Sequence, residues 1–148
     1  MDRVEKAKEL FLAGYNCSQA VFAAFADQYG IDETTALKLS ASFGGGVGRM
    51  REVCGAVSGM MLVCGLETGC VVAEDQKGKG ANYEAARKLM DQFREENGSI
   101  ICRELLALRA EEIKGGQPEA RTENYYHNRP CLKMVMDAAM ILEKEFGE

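Results

Sequence analysis

The chain has 148 residues, 47% of them apolar, and a formal net charge of −5. At this length a single domain can bury a sizeable core without a disulfide or a metal, so we expect one domain over residues 1–148. The chain is acidic overall and has no stripe of basic residues, which argues against nucleic acid as a partner. Few β-branched residues and abundant Ala, Leu, Glu, Lys and Met favour an all-α fold, a bundle of about six helices.

Apolar periodicity and capping signals predict the helices in chain order. The predicted segments are 2–13, about 17–29, 33–43, about 52–67, 83–97, 100–113 and 130–146. Asn16 with Gln19 three residues later forms a capping box for the second segment. Asn82 and Ser99 are the expected N-caps of the fifth and sixth segments, and Pro130 is expected at the first helical position of the last.

The chain shows no sign of a membrane segment. Its N-terminus is charged and amphipathic, unlike a signal peptide. The longest apolar run, Val53 to Leu66, has the length of a buried core helix and not of a membrane span. We therefore expect no membrane span and a cytoplasmic location.

Six cysteines are many for a cytoplasmic protein of this size. In a reducing compartment such cysteines more often bind metal, carry out redox chemistry or pack than form structural disulfides. Four of them lie in or near the first turns of predicted helices and on their apolar stripes: Cys17, Cys54, Cys102 and Cys131. A first turn favours a thiolate through its unpaired N–H groups and the helix dipole. We therefore expect these four to point inward, toward one site.

The other two cysteines are expected to lie outside that site. Cys64 follows Cys54 by ten residues, about 15 Å along a helix, which is too far to share a ligand sphere, so we expect it to fill the core. Cys70 follows Gly69 in a loop and is expected to be incidental. No CxxC or CxxCH occurs, so the usual zinc-ribbon, thioredoxin-like and haem signatures are absent. The spacing of the cysteines alone leaves packing, metal binding and redox chemistry open.

Glycines and arginines adjoin the four cysteines. Gly55 and Gly59 stand one helical turn apart beside Cys54, where missing side chains would let another helix or the site itself approach the backbone. Arginine near a thiolate lowers its pKa and would offset the charge of an anionic metal–thiolate centre. The arginines concerned are Arg49 and Arg51 before Cys54, Arg103 after Cys102, and Arg129 before Cys131. Solvated loop arginines are the alternative interpretation.

Other features give weaker signals. The run Gly44 to Gly48 lacks a preceding strand and a GK[ST] sequence, so we expect no bound nucleotide. His127 lies in the polar segment 114–129 and is expected to face solvent, with an acid–base or ligand role as the alternative. The apolar helix faces could support a homodimer, although no heptad pattern specifies one.

Four parts of the chain match one recognisable pattern: Cys17 in GYNCSQAV, Cys54 to Gly59 in CGAVSG, Cys102 in SIICREL and Cys131 in RPCLKMV. In these residues the chain resembles a family of redox-active proteins named for C…CGAxxG…C…C, also written C_GCAxxG_C_C. The preceding FGGGVGR, Phe43 to Arg49, also looks like the family. The resemblance implies that these four cysteines are the functional ones and that their role is redox.

A more distant resemblance suggests the cofactor. The arrangement is similar to the non-haem part of split-Soret cytochromes, for which the implied group is an iron–sulfur centre. This chain lacks their haem motifs, so no haem is expected. The leading hypothesis is therefore an iron–sulfur or other metal centre for electron transfer, held by the four cysteines with Gly55 and Gly59 beside it.

Two alternatives use the same cysteines. One is metal-free thiol–disulfide exchange with a partner dithiol. The other is a non-catalytic helical module in which the cysteines bind structural zinc or only pack. A redox role requires a partner protein that the sequence does not identify, and no substrate is indicated, so no enzymatic activity is assigned.

Overall fold

The computed structural model describes residues 2–106 and 131–147. Within them lie seven α-helices: α1 (Arg3–Leu12), α2 (Cys17–Phe25), α3 (Glu33–Ser40), α4 (Gly55–Thr68), α5 (Gln76–Asn97), α6 (Cys102–Leu106) and α7 (Cys131–Phe146). Short 3₁₀ turns, Ala26–Tyr29 and Ala41–Phe43, follow α2 and α3. These residues contain no strand, only an isolated antiparallel bridge between Val53 and Ile101. The all-α prediction is confirmed.

The start of α2 follows the capping signal in the sequence. The Asn16 side chain accepts a hydrogen bond from the Gln19 N–H at 2.9 Å, and the Gln19 side chain accepts one from the Asn16 N–H at 3.1 Å. The capping box satisfies two N–H groups that a helix start leaves without helical partners. It makes Cys17 the first residue of α2, as predicted.

The predicted start of α5 is wrong. The helix begins at Gln76, and Asp75 caps it by accepting a hydrogen bond from the Gly78 N–H at 2.9 Å. Two glycines in its first turns lower the intrinsic helix propensity there, but the Asp75 cap and packing against α4 outweigh that cost. Asn82 is not a cap, because its side chain donates to Thr68 at 2.8 Å.

The predicted starts of α4 and α6 are also too early. Residues 52–53 are not helical, and α4 begins at Gly55 with Cys54 as N-cap. In the sixth predicted segment, α6 begins at Cys102. Ser99 accepts a hydrogen bond from the Ile101 N–H at 3.0 Å but does not cap a longer helix. Both helices start later than predicted because the residues before them pair with each other, 51–54 with 100–103, as described below. The interpretations of Pro130, Arg129, His127 and the segment 114–129 lie outside the described residues.

The buried side chains form one core, with α2 and α4 at its centre. Helix α2 packs against α1, α3, α4 and α7, and α4 also packs against α5 and α7. The largest fully buried side chains are Phe11, Phe22, Phe25, Phe93, Met60, Leu89 and Leu142. Cys64, 1% exposed, belongs to this core as predicted. In the part of the chain that the structure describes, no helix is long and apolar enough to cross a membrane.

Candidate four-cysteine site

A strained loop precedes α4 and forms one wall of the site. In this glycine loop, residues 44–51, five consecutive residues from Gly45 to Arg49 have positive φ, and Arg51 has φ +63°. Left-handed backbone costs an L-residue roughly 1–2 kcal/mol, and a β-branched side chain such as Val47 adopts it rarely. Strain of this kind persists only where the surrounding structure imposes it, and it is concentrated at functional sites.

Hydrogen bonds and close packing hold the glycine loop in place. The Arg51 N–H donates to the Gly45 carbonyl at 3.1 Å, and the Glu52 N–H donates to the Gly46 carbonyl at 2.9 Å. A Cβ on Gly46 would lie 2.7 Å from the Glu52 nitrogen and 2.8 Å from the Cβ of Cys102. Only glycine therefore lets the loop backbone lie directly against Cys102.

Residues 51–54 pair with residues 100–103, and this pairing joins two of the cysteines. The Cys54 N–H donates to the Ile100 carbonyl at 2.8 Å, and the Cys102 N–H donates to the Glu52 carbonyl at 2.6 Å. In antiparallel pairing of this register the two cysteines are diagonal neighbours on one face. Sequence reasoning missed the pairing, although Val53 and the Ile100-Ile101 pair are a β-branched signal in a chain with few such residues.

Cys54 is a buried thiol surrounded by other cysteines. It is 3% exposed, and its burial raises the pKa of the thiol to about 12. The backbone N–H groups of Ala56 and Val57 act in the opposite direction, while charge on Cys102 or Cys131 raises the pKa further. The expectation that a helix start favours the thiolate is thus wrong for Cys54, because desolvation outweighs the backbone hydrogen bonds.

The remaining cysteines approach Cys54 from three other helices. Cys102 and Cys131, the first residues of α6 and α7, are 8% and 7% exposed. Cys17 is partly buried at the start of α2, and a Cβ on Gly55 would lie 3.2 Å from the Cβ of Cys17. The structure therefore brings all four predicted cysteines to one end of the helix bundle.

The two glycines of the CGAxxG sequence allow this approach. At Gly55 an added Cβ would also lie 3.1 Å from the backbone nitrogen of Ser18. At Gly59 it would lie 2.9 Å from the Cβ of Val21 and 3.0 Å from the Ser18 carbonyl oxygen. The bare backbone of α4 thus lies directly against α2, and at Gly55 also against a site cysteine.

Arg51 is the most unusual charged residue at the site. It is 6% exposed, its Nη1 donates to the Cys102 sulfur at 3.8 Å, and its Nε has no hydrogen-bond partner. No carboxylate among the described residues forms an ion pair with it. Arg103 also has a buried Nε without a hydrogen-bond partner, but its side chain is 42% exposed and pairs with Glu52 at 3.6 Å. The sequence placed Arg51 near Cys54, but its side chain contacts Cys102.

The cysteines are neighbours without forming a ready-made metal site. Within residues 2–106 and 131–147, no three Cys, His, Asp or Glu side chains are arranged to hold a metal ion. Cys70, predicted to be incidental, is partly buried and lies near Asp75 at the start of α5, where its thiol donates to the Val72 carbonyl at 3.3 Å. The roles of the four cysteines and of Gly55 and Gly59 in holding a cofactor remain predictions.

Comparison with known protein families identifies a match that covers most of the chain. A family described as "Putative redox-active protein (C_GCAxxG_C_C)" matches residues 15–145, a range that includes all four site cysteines. Searches of curated proteins and of solved structures found no match.

Proposed function

The chain belongs to the redox-active family named for the C_GCAxxG_C_C pattern, and from that premise we propose that it is an electron-transfer protein with an iron–sulfur cluster. The ligands would be Cys17, Cys54, Cys102 and Cys131. The observation that carries the proposal is the position of Cys54, which is 3% exposed at the end of the bundle where the four cysteines meet. Its N–H donates at 2.8 Å to the Ile100 carbonyl, in the segment that carries Cys102, and an added Cβ on the adjacent Gly55 would lie 3.2 Å from the Cβ of Cys17.

The chemistry of these residues fits an iron–sulfur cluster. Four thiolates are the usual ligand set of such clusters, and the cluster supplies reversible one-electron chemistry when bound. A cluster with four thiolate ligands is anionic, and the buried guanidinium of Arg51 has an unused donor beside Cys102. The fit rests on residue types, proximity and charge, and not on a preformed ligand geometry.

Groups of the chain around the four cysteines would set the reduction potential of the cluster. The backbone N–H groups of Ala56 and Val57 at the start of α4 act on the Cys54 thiol in the direction that lowers its pKa, without a side-chain hydrogen bond capping the helix there. N–H groups directed at ligand sulfurs raise the reduction potential of such clusters. Close packing at Gly46 keeps the loop backbone against Cys102, and close packing at Gly55 keeps the start of α4 against Cys17. With Cys54 3% exposed, the fold thus provides burial as well as nearby backbone N–H groups.

The experiment is anaerobic purification followed by cluster reconstitution of three proteins: wild type, Cys54→Ser and Cys64→Ser. We expect the wild type to be coloured, with iron and acid-labile sulfide, and Cys54→Ser to lose most of both. Cys64→Ser is the matched control, because Cys64 is also buried but lies in the core within α4, ten residues after Cys54, the N-cap of that helix. It should keep the colour. A colourless reconstituted wild type without iron and sulfide would overturn the proposal.

Thiol–disulfide exchange is the second candidate, and one observation favours it. Cys54 and Cys102 are diagonal neighbours across the pairing of residues 51–54 with 100–103. In this reaction two thiols would lose two protons and two electrons while a partner disulfide is reduced to a dithiol. Colourless protein whose mass falls reversibly by two hydrogen atoms on oxidation would select this function. Colourless protein that binds one zinc ion and shows no such change would select the structural alternative.

A further inference from the structure

Arg51 is buried, which is unusual for an arginine. Its side chain is 6% exposed and no carboxylate pairs with it in the described part of the chain. Burying a charge is costly unless the charge is paired, so buried arginines normally have an anionic partner. The neighbour that the structure provides is the sulfur of Cys102, 3.8 Å from Nη1.

The backbone holds Arg51 in this position at a further cost. Its φ of +63° is left-handed, a conformation that costs a non-glycine residue about 1–2 kcal/mol. Its N–H donates to the Gly45 carbonyl, and its carbonyl accepts from the Arg103 N–H at 3.2 Å. The glycine loop and the first turn of α6 therefore fix Arg51 from both sides and direct its side chain to Cys102.

We propose that Arg51 is a positioning residue that balances the negative charge of the four-cysteine centre and thereby raises its reduction potential. This inference rests on the proposed function. Arg51 would act on such a centre by charge alone: one-electron reduction would form and break no bond, and a buried cation beside a ligand sulfur would stabilise the added negative charge. The unpartnered Nε is a donor available to the same anionic centre.

The test compares midpoint potentials of the reconstituted wild type, Arg51→Gln, Arg51→Lys and Arg103→Gln. Arg103→Gln is the matched control, since it removes the same charge from the residue that follows Cys102, where the side chain is 42% exposed and paired with Glu52. We expect Arg51→Gln to shift the potential to more negative values, Arg51→Lys to stay near the wild type, and Arg103→Gln to shift it only at low salt. The effect of Arg51→Gln should persist at high salt, because buried charges are screened little.

A second readout uses the metal-free protein and separates charge balance from a merely structural role. Without an anionic centre the buried guanidinium is uncompensated, so metal-free Arg51→Gln should have a melting temperature at or above that of the wild type. The rise in melting temperature on reconstitution should be smaller in Arg51→Gln than in the wild type.

The outcomes distinguish the inference from the proposed function. An Arg51→Gln potential equal to that of the wild type, or equal lowering of the melting temperature with and without the centre, would overturn the inference alone. Folded Arg51→Gln that takes up no iron while Arg51→Lys does would support the charge requirement. If both fold and neither takes up iron, the role is structural and the inference fails. A wild type without iron, sulfide or a redox couple would instead contradict the proposed function.

Discussion

Two glycines of the glycine loop share a left-handed backbone but differ in their surroundings. Gly46 is buried with φ +74°, and its missing Cβ leaves room for Cys102 and the Glu52 nitrogen. Gly48 is exposed with φ +59°, and nothing lies within 4 Å of where its Cβ would be. Substitution of Gly48 therefore tests the effect of backbone strain alone, whereas substitution of Gly46 adds the displacement of Cys102 to the same strain.

Gly46→Ala should damage the site, whereas Gly48→Ala should only strain the loop. We expect Gly48→Ala to lower the free energy of unfolding by about 1–2 kcal/mol and to keep the iron content of the reconstituted protein. Gly46→Ala adds a clash with backbone that cannot move freely, so it should cost more and lower the iron content. Denaturant unfolding and iron analysis of both variants measure this difference. Equal iron content in two folded variants would contradict the importance of the Gly46–Cys102 contact.

At the scale of elements, α4 carries glycines for two different reasons. Gly59 faces α2, where an added Cβ would lie 2.9 Å from the Cβ of Val21. Gly65 lies six residues later on the exposed side of the same helix, with no atom within 4 Å of the added Cβ. The packing of α4 on α2 requires the first glycine but not the second.

The same substitution in this helix should therefore have opposite effects. Gly65→Ala should stabilise the protein by up to about 1 kcal/mol, the difference in helix propensity between Ala and Gly. Gly59→Ala gains the same propensity but forces α2 and α4 apart, and overpacking of this kind typically costs about 1–3 kcal/mol. Thermal unfolding of the two variants tests this prediction, and a Gly59→Ala variant as stable as Gly65→Ala would show that the helices can separate without cost.

The buried thiol makes the stability of the whole molecule dependent on pH. The pKa of Cys54 is raised from 9.0 to about 12, so in the folded state the thiol keeps its proton where the unfolded chain loses it. The stabilisation is complete below about pH 9 and is lost as the pH rises toward 12. Within that window the metal-free, reduced protein should lose up to about 1.4 kcal/mol per pH unit through this group.

Urea unfolding of wild type and Cys54→Ser between pH 8 and pH 10.5 measures this contribution. The decline should be less steep in Cys54→Ser than in the wild type. Parallel declines in the two proteins would show that Cys54 does not titrate in this way.

The sequence predicts features that depend on local chemistry better than the helix starts that lie at or near the site. The capping box at Asn16, the end of α5 at Gly98 and the core position of Cys64 follow from local chemistry and periodicity, and all three are confirmed. The starts of α4, α5 and α6 were not predictable in this way, because a distant pairing or helix packing outweighs local propensity there. The single-domain, cytoplasmic and homodimer expectations stay predictions.

The sequence by itself determined the fold class, the four candidate cysteines and the family, because helix periodicity, caps and the CGAxxG sequence are local properties of the chain. Only the tertiary structure decided which groups meet at the site. The pairing of residues 51–54 with 100–103 joins positions about 50 residues apart, and it brings Cys54, Cys102 and the buried Arg51 together. Burial also reversed the expected direction of the pKa shift at Cys54, since desolvation depends on the surrounding elements and not on neighbours in the chain.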